Sequence, residues 1–422
     1  MKIVVFGPGP KFKGGIANYT LSLAKELSSR DNVEVEIVSW TQQYPSIIPR
    51  DFINRSAKKD PLEGTGIKTT YITNFNNPVS WSKTASLINK IAPDILIVQW
   101  ALAIQGIPLN SILKRVKAKS KCEIIFALHV IRQKEESFLD GYLTKSALRW
   151  GDTYIAHAQK YIDELKQIFP DKKFFVNSNG VRSLAPKEKN AIKLFHPVYD
   201  MFSPDPDFDK ERFKKEMGLR KNVFLFFGFI RRYKGLHNVL KAFKKISDER
   251  EDVSLLVVGE SFWNTMDSNK ISVKIKKGLF GAVKKLILRQ KEDESDYRPL
   301  DLIDELKLKD KVVVVNDYVP NEDVHKYFQS ADCNVLFYLT ATPSGVESMA
   351  YNFSLPSIAT KVGHFSESII DGETGYLAEP DNIDSMYLAM KKFLENPVPK
   401  EKIAEAAKYL SWKIYANAVL NR

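Results

Sequence analysis

Apolar runs alternate with amphipathic stretches along most of this 422-residue chain. Residues 2–6 form a short β-branched run, followed by a loop of Gly, Pro and Lys from 7 to 15. Beyond the loop, Ile16, Thr20, Leu23, Ala24 and Leu27 fall on one helical face, and 33–39 reads as the next strand. Strand, glycine loop, helix and strand in that order open a parallel βαβ unit. Further strands are predicted at 95–99, 123–128 and 153–156. A Pro-rich, aperiodic stretch at 195–206 then reads as a boundary between two domains. After it, strands recur at 223–227, 254–259, 311–315, 333–338 and 355–359, so the second half repeats the architecture of the first.

The stretch 224–235 organises the second half. An apolar run ends at Gly228, the cations Arg231, Arg232 and Lys234 follow in one short loop, and 236–246 repeats apolar residues at helical spacing. Unpaired N–H groups at a helix start beside three cations suit a phosphate or diphosphate. The alternative is a basic loop that faces water. In open α/β sheets ligands bind at the carboxyl ends of the strands. That position marks Gln99, Trp100 and His129 as candidates, although a lone histidine also serves structure. The 7–15 loop fits neither common phosphate motif. A dinucleotide fingerprint would place its third glycine at Phe12, and a P-loop would have Lys and Ser/Thr where Gly15 and Ile16 stand.

A net charge of +12 favours anionic partners. Zinc-finger spacing, an RNP-like aromatic pattern and a basic zipper are all missing, so nucleic acid is not expected as a partner. Cys122 and Cys333 lie in separate apolar runs and read as buried free thiols in a reducing compartment. The apolar run at 3–6 is too short for a signal-peptide core, and no run approaches the roughly 18 residues of a membrane span. A cytoplasmic protein is expected. Residues 268–291 interleave eight Lys and Arg with apolar positions, of which 279, 283, 286 and 287 share a helical face. Such a segment either lies on an anionic membrane surface or packs against its own domain.

Four pieces in order now resemble one family. They are Lys13-Gly14-Gly15-Ile16-Ala17, His129 after a middle strand, the 228–235 loop, and Thr342-Pro343-Ser344-Gly345-Val346 leading to Pro356-Ser357-Ile358-Ala359-Thr360 and Gly372-Glu373-Thr374-Gly375. Together they resemble the GT-B glycosyltransferases of family 4, which use nucleotide-sugar donors with retention at the anomeric carbon. Gln43-Tyr44-Pro45 and His196-Pro197-Val198-Tyr199 resemble a subset from bacterial surface-polysaccharide synthesis.

The resemblance implies an α/β fold of two Rossmann-like domains facing across a cleft. Residues 1–200 would bind acceptor, 201–395 would bind the nucleotide sugar, and helices in 396–422 would pack back on the first domain. Gly14 and Gly15 would admit the donor phosphate or the acceptor, and His129 would contact the donor sugar near its anomeric centre. Lys234 would neutralise the departing diphosphate, with Arg231 as second cation and Arg232 beside them. Ser344 and Gly345 would offer hydrogen-bond donors to the same phosphates, and Glu347 would contact the ribose. The implied reaction moves a hexosyl group from a UDP- or GDP-sugar to a glycan or lipid-linked glycan, with no metal or other cofactor required. The enzyme would be cytoplasmic, or peripheral on the inner face of the cytoplasmic membrane.

Two departures stand out: Phe229 occupies a position where many members carry Arg, and Leu339 one where the first of two paired glutamates is usual. In addition, Glu367 in Gly363-His364-Phe365-Ser366-Glu367 sits in a loop where the family often has a Gly-Gly and a glutamate, and it reads as structural. A catalytically degenerate nucleotide- or glycan-binding protein therefore stays open. A nucleotide-sugar epimerase or a glycoside phosphorylase uses the same cleft. The epimerase needs carboxylates or histidines at the sugar and a pyridoxal-dependent phosphorylase a Schiff-base lysine, clusters that these loops do not show. Nor do two acids converge for glycoside hydrolysis.

Overall fold

The computed structural model describes residues 1–45, 53, 60–132, 138–185, 187–199, 202–261, 296–341 and 344–421. The chain divides into two compact units, one of residues 1–195 and 412–421, the other of residues 196–261 and 296–411. The basic segment 268–291 lies outside the described residues.

The first unit is built on an eight-stranded sheet in the order β3-β2-β1-β4-β5-β6-β8-β7. Its strands are β1 (Lys2–Phe6), β2 (Glu34–Gln42), β3 (Lys68–Asn74), β4 (Ile95–Trp100), β5 (Glu123–Leu128), β6 (Thr153–Ala156), β7 (Lys173–Asn177) and β8 (Glu188–Lys193). Every pairing is parallel. A parallel sheet is covered on both faces, so its central strands are continuously apolar, and β4 is buried at every position. Crossovers run through α1 (Gly15–Ser28), α2 (Pro78–Ile91), α3 (Gly106–Lys117), α4 (Phe138–Leu148) and α5 (Gln159–Ile168). Helices α2, α3 and α4 pack in a row, whereas α1 packs with the C-terminal helix Trp412–Leu420. Strand order reverses between β1 and β4, so the loops after these two strands flank a topological switch point.

The second unit holds a six-stranded parallel sheet in the order β11-β10-β9-β12-β13-β14. These strands are β9 (Asn222–Phe227), β10 (Val253–Val258), β11 (Val312–Val315), β12 (Cys333–Leu336), β13 (Ser357–Thr360) and β14 (Gly375–Ala378). Among its helices are α6 (Lys210–Glu216), α7 (Leu236–Glu249), Gly345–Asn352, Ile383–Glu395 and Lys400–Lys408. Here order reverses between β9 and β12, which places the 228–235 loop and the approach to Ser344 at the second switch point. Cys122 and Cys333 are free and buried, one in each unit.

The expectation that 396–422 returns as one block is corrected. Helix Lys400–Lys408 buries Ile403 in the core of the second unit, and the helix Trp412–Leu420 alone joins the first. The physical reason is what each apolar face meets: Ile403 packs into the core of the second unit, while Trp412 and Tyr415 pack against Tyr19 of α1.

Candidate active site

In the second unit, Gly228 ends β9 with φ of +93°, a conformation that L side chains rarely adopt. The short 3-10 turn Arg232–Lys234 then leads to Gly235, whose φ of +68° starts α7. A Cβ on Gly235 would overlap the carbonyl oxygen of Phe337, so the loops after β9 and β12 meet at backbone distance. Leu339 N–H donates to Tyr233 O at 2.7 Å across the same seam.

Lys234 lies within this fold of backbone at 7% exposure. Its Nζ donates to Phe227 O at 3.4 Å and sits 5.7 Å from the centre of the Tyr338 ring. Burial holds the ammonium down at about 7, and Arg231 beside it pushes the same way. No carboxylate pairs with Lys234 among the described residues. Removing a cation from water without a counter-charge is costly, so this ammonium is poised for an incoming anion. Arg232 turns aside, its guanidinium 5.3 Å from the Tyr297 ring.

The second wall is the start of helix Gly345–Asn352, for which Ser344 is the N-cap residue. The Ser344 nitrogen lies 3.4 Å from His364 Nε2. Glu347 is 4% exposed, and both oxygens of its carboxylate are engaged. Ser368 Oγ donates to one, and His364 Nε2 pairs with the other. The carboxylate thus faces the interior of the second unit, where it braces the 363–368 loop against the helix. The His196-to-Tyr199 segment supports the helix from another side. His196 Nδ1 lies 3.0 Å from Ser348 Oγ, and a Cβ on Gly345 would come within 2.7 Å of the Tyr199 ring. Burial holds the His196 imidazole down at about 4 and so keeps it neutral.

In the first unit, Gly14 has φ of +104°, precedes α1, and has open space where a Cβ would stand. Gly15 is the first residue of α1. His129 follows β5 and is fixed from several directions. Its N–H donates to Trp100 O at 2.9 Å, its carbonyl accepts from Tyr161 OH at 2.6 Å, and its Nε2 meets Gln99 Oε1 at 2.7 Å. The Tyr19 ring stands edge-on to the imidazole at 4.7 Å. Gln99 Nε2 is left as a buried donor with no partner among the described residues.

Each unit therefore carries its own predicted residues near the carboxyl edge of its sheet: Gly14, Gly15 and His129 in the first, and Arg231, Arg232, Lys234, Ser344, Gly345 and Glu347 in the second, with Arg232 turned aside and Glu347 turned inward. Sequence reasoning missed His364 and Ser368 as partners of Glu347. The departure from Gly-Gly at His364 was the available signal. Among the described residues, no group of three His, Cys, Asp or Glu side chains is placed to hold a metal ion, and no helix is long and apolar enough to cross a membrane.

The fold is GT-B in class, with two parallel-sheet Rossmann-like units. Sucrose-phosphate synthase from Thermosynechococcus elongatus superposes with a TM-score of 0.65 at 16% identity, covering 99% of this chain and 96% of that one. HepE from Anabaena, solved in complex with UDP, gives 0.63 at 17% identity over 99% and 94%. Residues 207–409, whose described part lies within the second unit, match the family described as glycosyl transferases group 1. Lipopolysaccharide 1,2-N-acetylglucosaminetransferase of Salmonella typhimurium is 26% identical over 202 residues. That match covers 46% of this chain and 44% of the relative, so the chain spans under half the length of the curated protein it matches.

Proposed function

We propose that the chain transfers a sugar, with retention, from a nucleoside-diphosphate sugar to a glycan or lipid-linked glycan during surface-polysaccharide synthesis. The observation that carries this reading is the buried Lys234 ammonium beneath the strand ends, with no carboxylate partner among the described residues. Breaking the bond between sugar and phosphate builds negative charge on the departing diphosphate, and a fixed cation there stabilises the transition state without needing a metal. The group 1 domain over 207–409 and the UDP-bound neighbour support UDP as the nucleotide, with GDP as the alternative. The lipopolysaccharide enzyme among the relatives supports a lipid-linked glycan as acceptor.

In this reading Lys234 and Arg231 hold the diphosphate, Arg232 lies alongside, and the Ser344–Gly345 edge adds backbone and hydroxyl donors. His129 contacts the donor sugar, and the open backbone at Gly14 and Gly15 admits donor phosphate or acceptor. The acceptor hydroxyl attacks from the face that the diphosphate leaves, and its proton passes to a phosphate oxygen. The site would work on the cytoplasmic side of the membrane, with neither metal nor nucleic acid.

Thermal shifts with UDP, GDP, ADP and CMP test the reading. One diphosphate is expected to stabilise the wild type in a concentration-dependent way, with the response lost in Lys234→Ala. Leu339, standing where a donor-facing glutamate is usual, favours a second reading: a protein that binds the nucleotide sugar without turning it over. Release of nucleoside diphosphate from a panel of nucleotide sugars in the presence of glycan acceptors separates the two. Binding without release supports the second, and no nucleotide response at all sinks both.

A further inference from the structure

One side chain in the first unit joins elements that lie far apart in the sequence. Tyr19, on α1, is 0% exposed, and its ring and its hydroxyl have different partners. The ring stands at 87° to the His129 imidazole with centroids 4.7 Å apart, and edge-on to Trp412 at 4.9 Å. The hydroxyl lies 3.2 Å from His157 Nε2 and shares a hydrogen bond with Tyr415 OH. His157, which follows β6 and is 1% exposed, lies through Nδ1 3.0 Å from Leu194 O. Tyr415 packs in turn on Trp412, ring to ring at 5.6 Å.

These contacts gather both places where the chain passes between the two units, after Phe195 and before Trp412. Leu194 belongs to the first crossing, and Trp412 and Tyr415 to the second. Tyr19 and His157 hold the two together. In a dry interior neither partner of the Tyr19 hydroxyl can turn to water instead, so the network fixes where the ring stands.

That position bears on His129. Gln99 meets one nitrogen of the imidazole at 2.7 Å, and a single hydrogen bond leaves a ring room to tilt about the contact. A second ring packed at right angles, a preferred arrangement of such pairs, removes that room. We propose that Tyr19 is a positioning residue: its ring sets the tilt of the His129 imidazole, and its hydroxyl, held by His157 and Tyr415, makes that setting depend on how the C-terminal helix Trp412–Leu420 is seated. The inference rests on the reading in which His129 contacts the donor sugar, and it adds the residues that aim the imidazole.

The ring signals of the histidines test it in the full chain, which has six of them. Labelling the ring nitrogens, with His129→Asn and His157→Asn for assignment, gives each of the two its own resonances. Tyr19→Phe and Tyr415→Phe keep every ring and remove one hydroxyl each, so a change at His129 cannot come from the loss of a neighbouring ring. Both variants are expected to shift or broaden the signals of His129 as well as those of His157. Both should lower kcat about tenfold with KM for the nucleotide sugar little changed, as a small misplacement of a sugar-contacting group does. Both should keep the thermal response to nucleotide, which shows that they fold.

Variants that disturb His157 and lower the melting temperature, yet leave the His129 signals as in the wild type, overturn the inference, because Tyr19 would then only hold the helix. An unchanged kcat in an active enzyme overturns it too. A wild type with neither nucleotide response nor turnover sinks the proposed function instead. The histidine signals, recorded without ligand, still decide in that case whether Tyr19 positions His129.

Discussion

A Cβ built on Gly228 would lie 2.6 Å from the Nζ of Lys234. The glycine is therefore what lets the ammonium lie flat against the strand end. Its Cβ would meet the far end of a flexible side chain, whereas a Cβ on Gly235 would meet the backbone carbonyl of Phe337. The two glycines should respond differently to alanine. Gly228→Ala, strained at φ of +93°, is expected to cost about 1–2 kcal/mol of stability and to weaken nucleotide binding at least tenfold as Lys234 is displaced. Gly235→Ala should cost more, about 3 kcal/mol or beyond, because the loops after β9 and β12 must part. Melting curves alongside nucleotide titrations check the contrast, and equal effects of the two on stability would argue against it.

Lys234 sits near 7 in the folded protein against 10.5 for an ordinary lysine. The unfolded chain binds the extra proton between those values, so stability rises with pH across that window, and the full penalty applies below about pH 7. Lys234→Met removes a buried charge at similar length. It is expected to raise the melting temperature by several degrees at pH 6.5, while abolishing the nucleotide response. The advantage should shrink by roughly 2–3 kcal/mol between pH 7 and 9, at about 1.4 kcal/mol per pH unit. A bound diphosphate raises the lysine pKa in the complex, so wild-type affinity for a nucleotide sugar should fall toward tenfold per pH unit above 7. Calorimetry at several pH values checks this. A flat profile would mean that Lys234 does not face the phosphates.

How much of this arrangement was legible in the sequence depends on burial. Strands β1, β4, β5, β9 and β10 are continuous apolar runs because helices cover both faces of the sheet, and their glycine or basic loops mark the strand ends directly. Strand β7 was not legible. It is an edge strand with three of its five residues exposed, and its apolar run, Phe174 to Val176, is only three residues long. Strand β3, mostly half-buried Thr and Tyr, gave little more. At the site, Lys234 and His129 were marked by position alone. The inward orientation of Glu347 was not, since the residues that hold it are 17 and 21 positions away and only the fold brings them together.

Those partners predict how Glu347 will behave. A buried carboxylate that receives two hydrogen bonds contributes mainly to the fold of its own unit, and replacing it strands the donors. Glu347→Gln is expected to lower the melting temperature without nucleotide, in keeping with a loss of about 2 kcal/mol. His364→Ala should lower it similarly, and the double variant should be little worse than either single one. A direct ribose contact predicts the opposite pattern, in which melting without nucleotide is unchanged and affinity alone falls. Melting curves with and without nucleotide on the three variants distinguish the two roles.

The C-terminal helix Trp412–Leu420 is held in the first unit by Arg182. Its guanidinium donates to Ala418 O at 2.8 Å and Val419 O at 2.9 Å, where the last helical carbonyls have no partner in the helix, and its Nε pairs with Glu123 at 2.9 Å. Gly180 completes the seat, since a Cβ there would overlap the Ala418 carbonyl. Tyr19 of α1 adds ring contacts to Trp412 and Tyr415 at 4.9 and 5.7 Å. Arg182→Ala should therefore cost about 3 kcal/mol, because it removes the cation paired with a largely buried carboxylate and the donors to several helix-end carbonyls. Truncation after Ser411 should make the first unit sensitive to protease while the second resists. Truncation after Leu394 should expose both, because it also removes Ile403 from the core of the second unit. Limited proteolysis of the two truncated chains, with fragments identified by mass, decides the matter. If the first truncation exposed both units equally, the assignment of the last two helices to different units would be wrong.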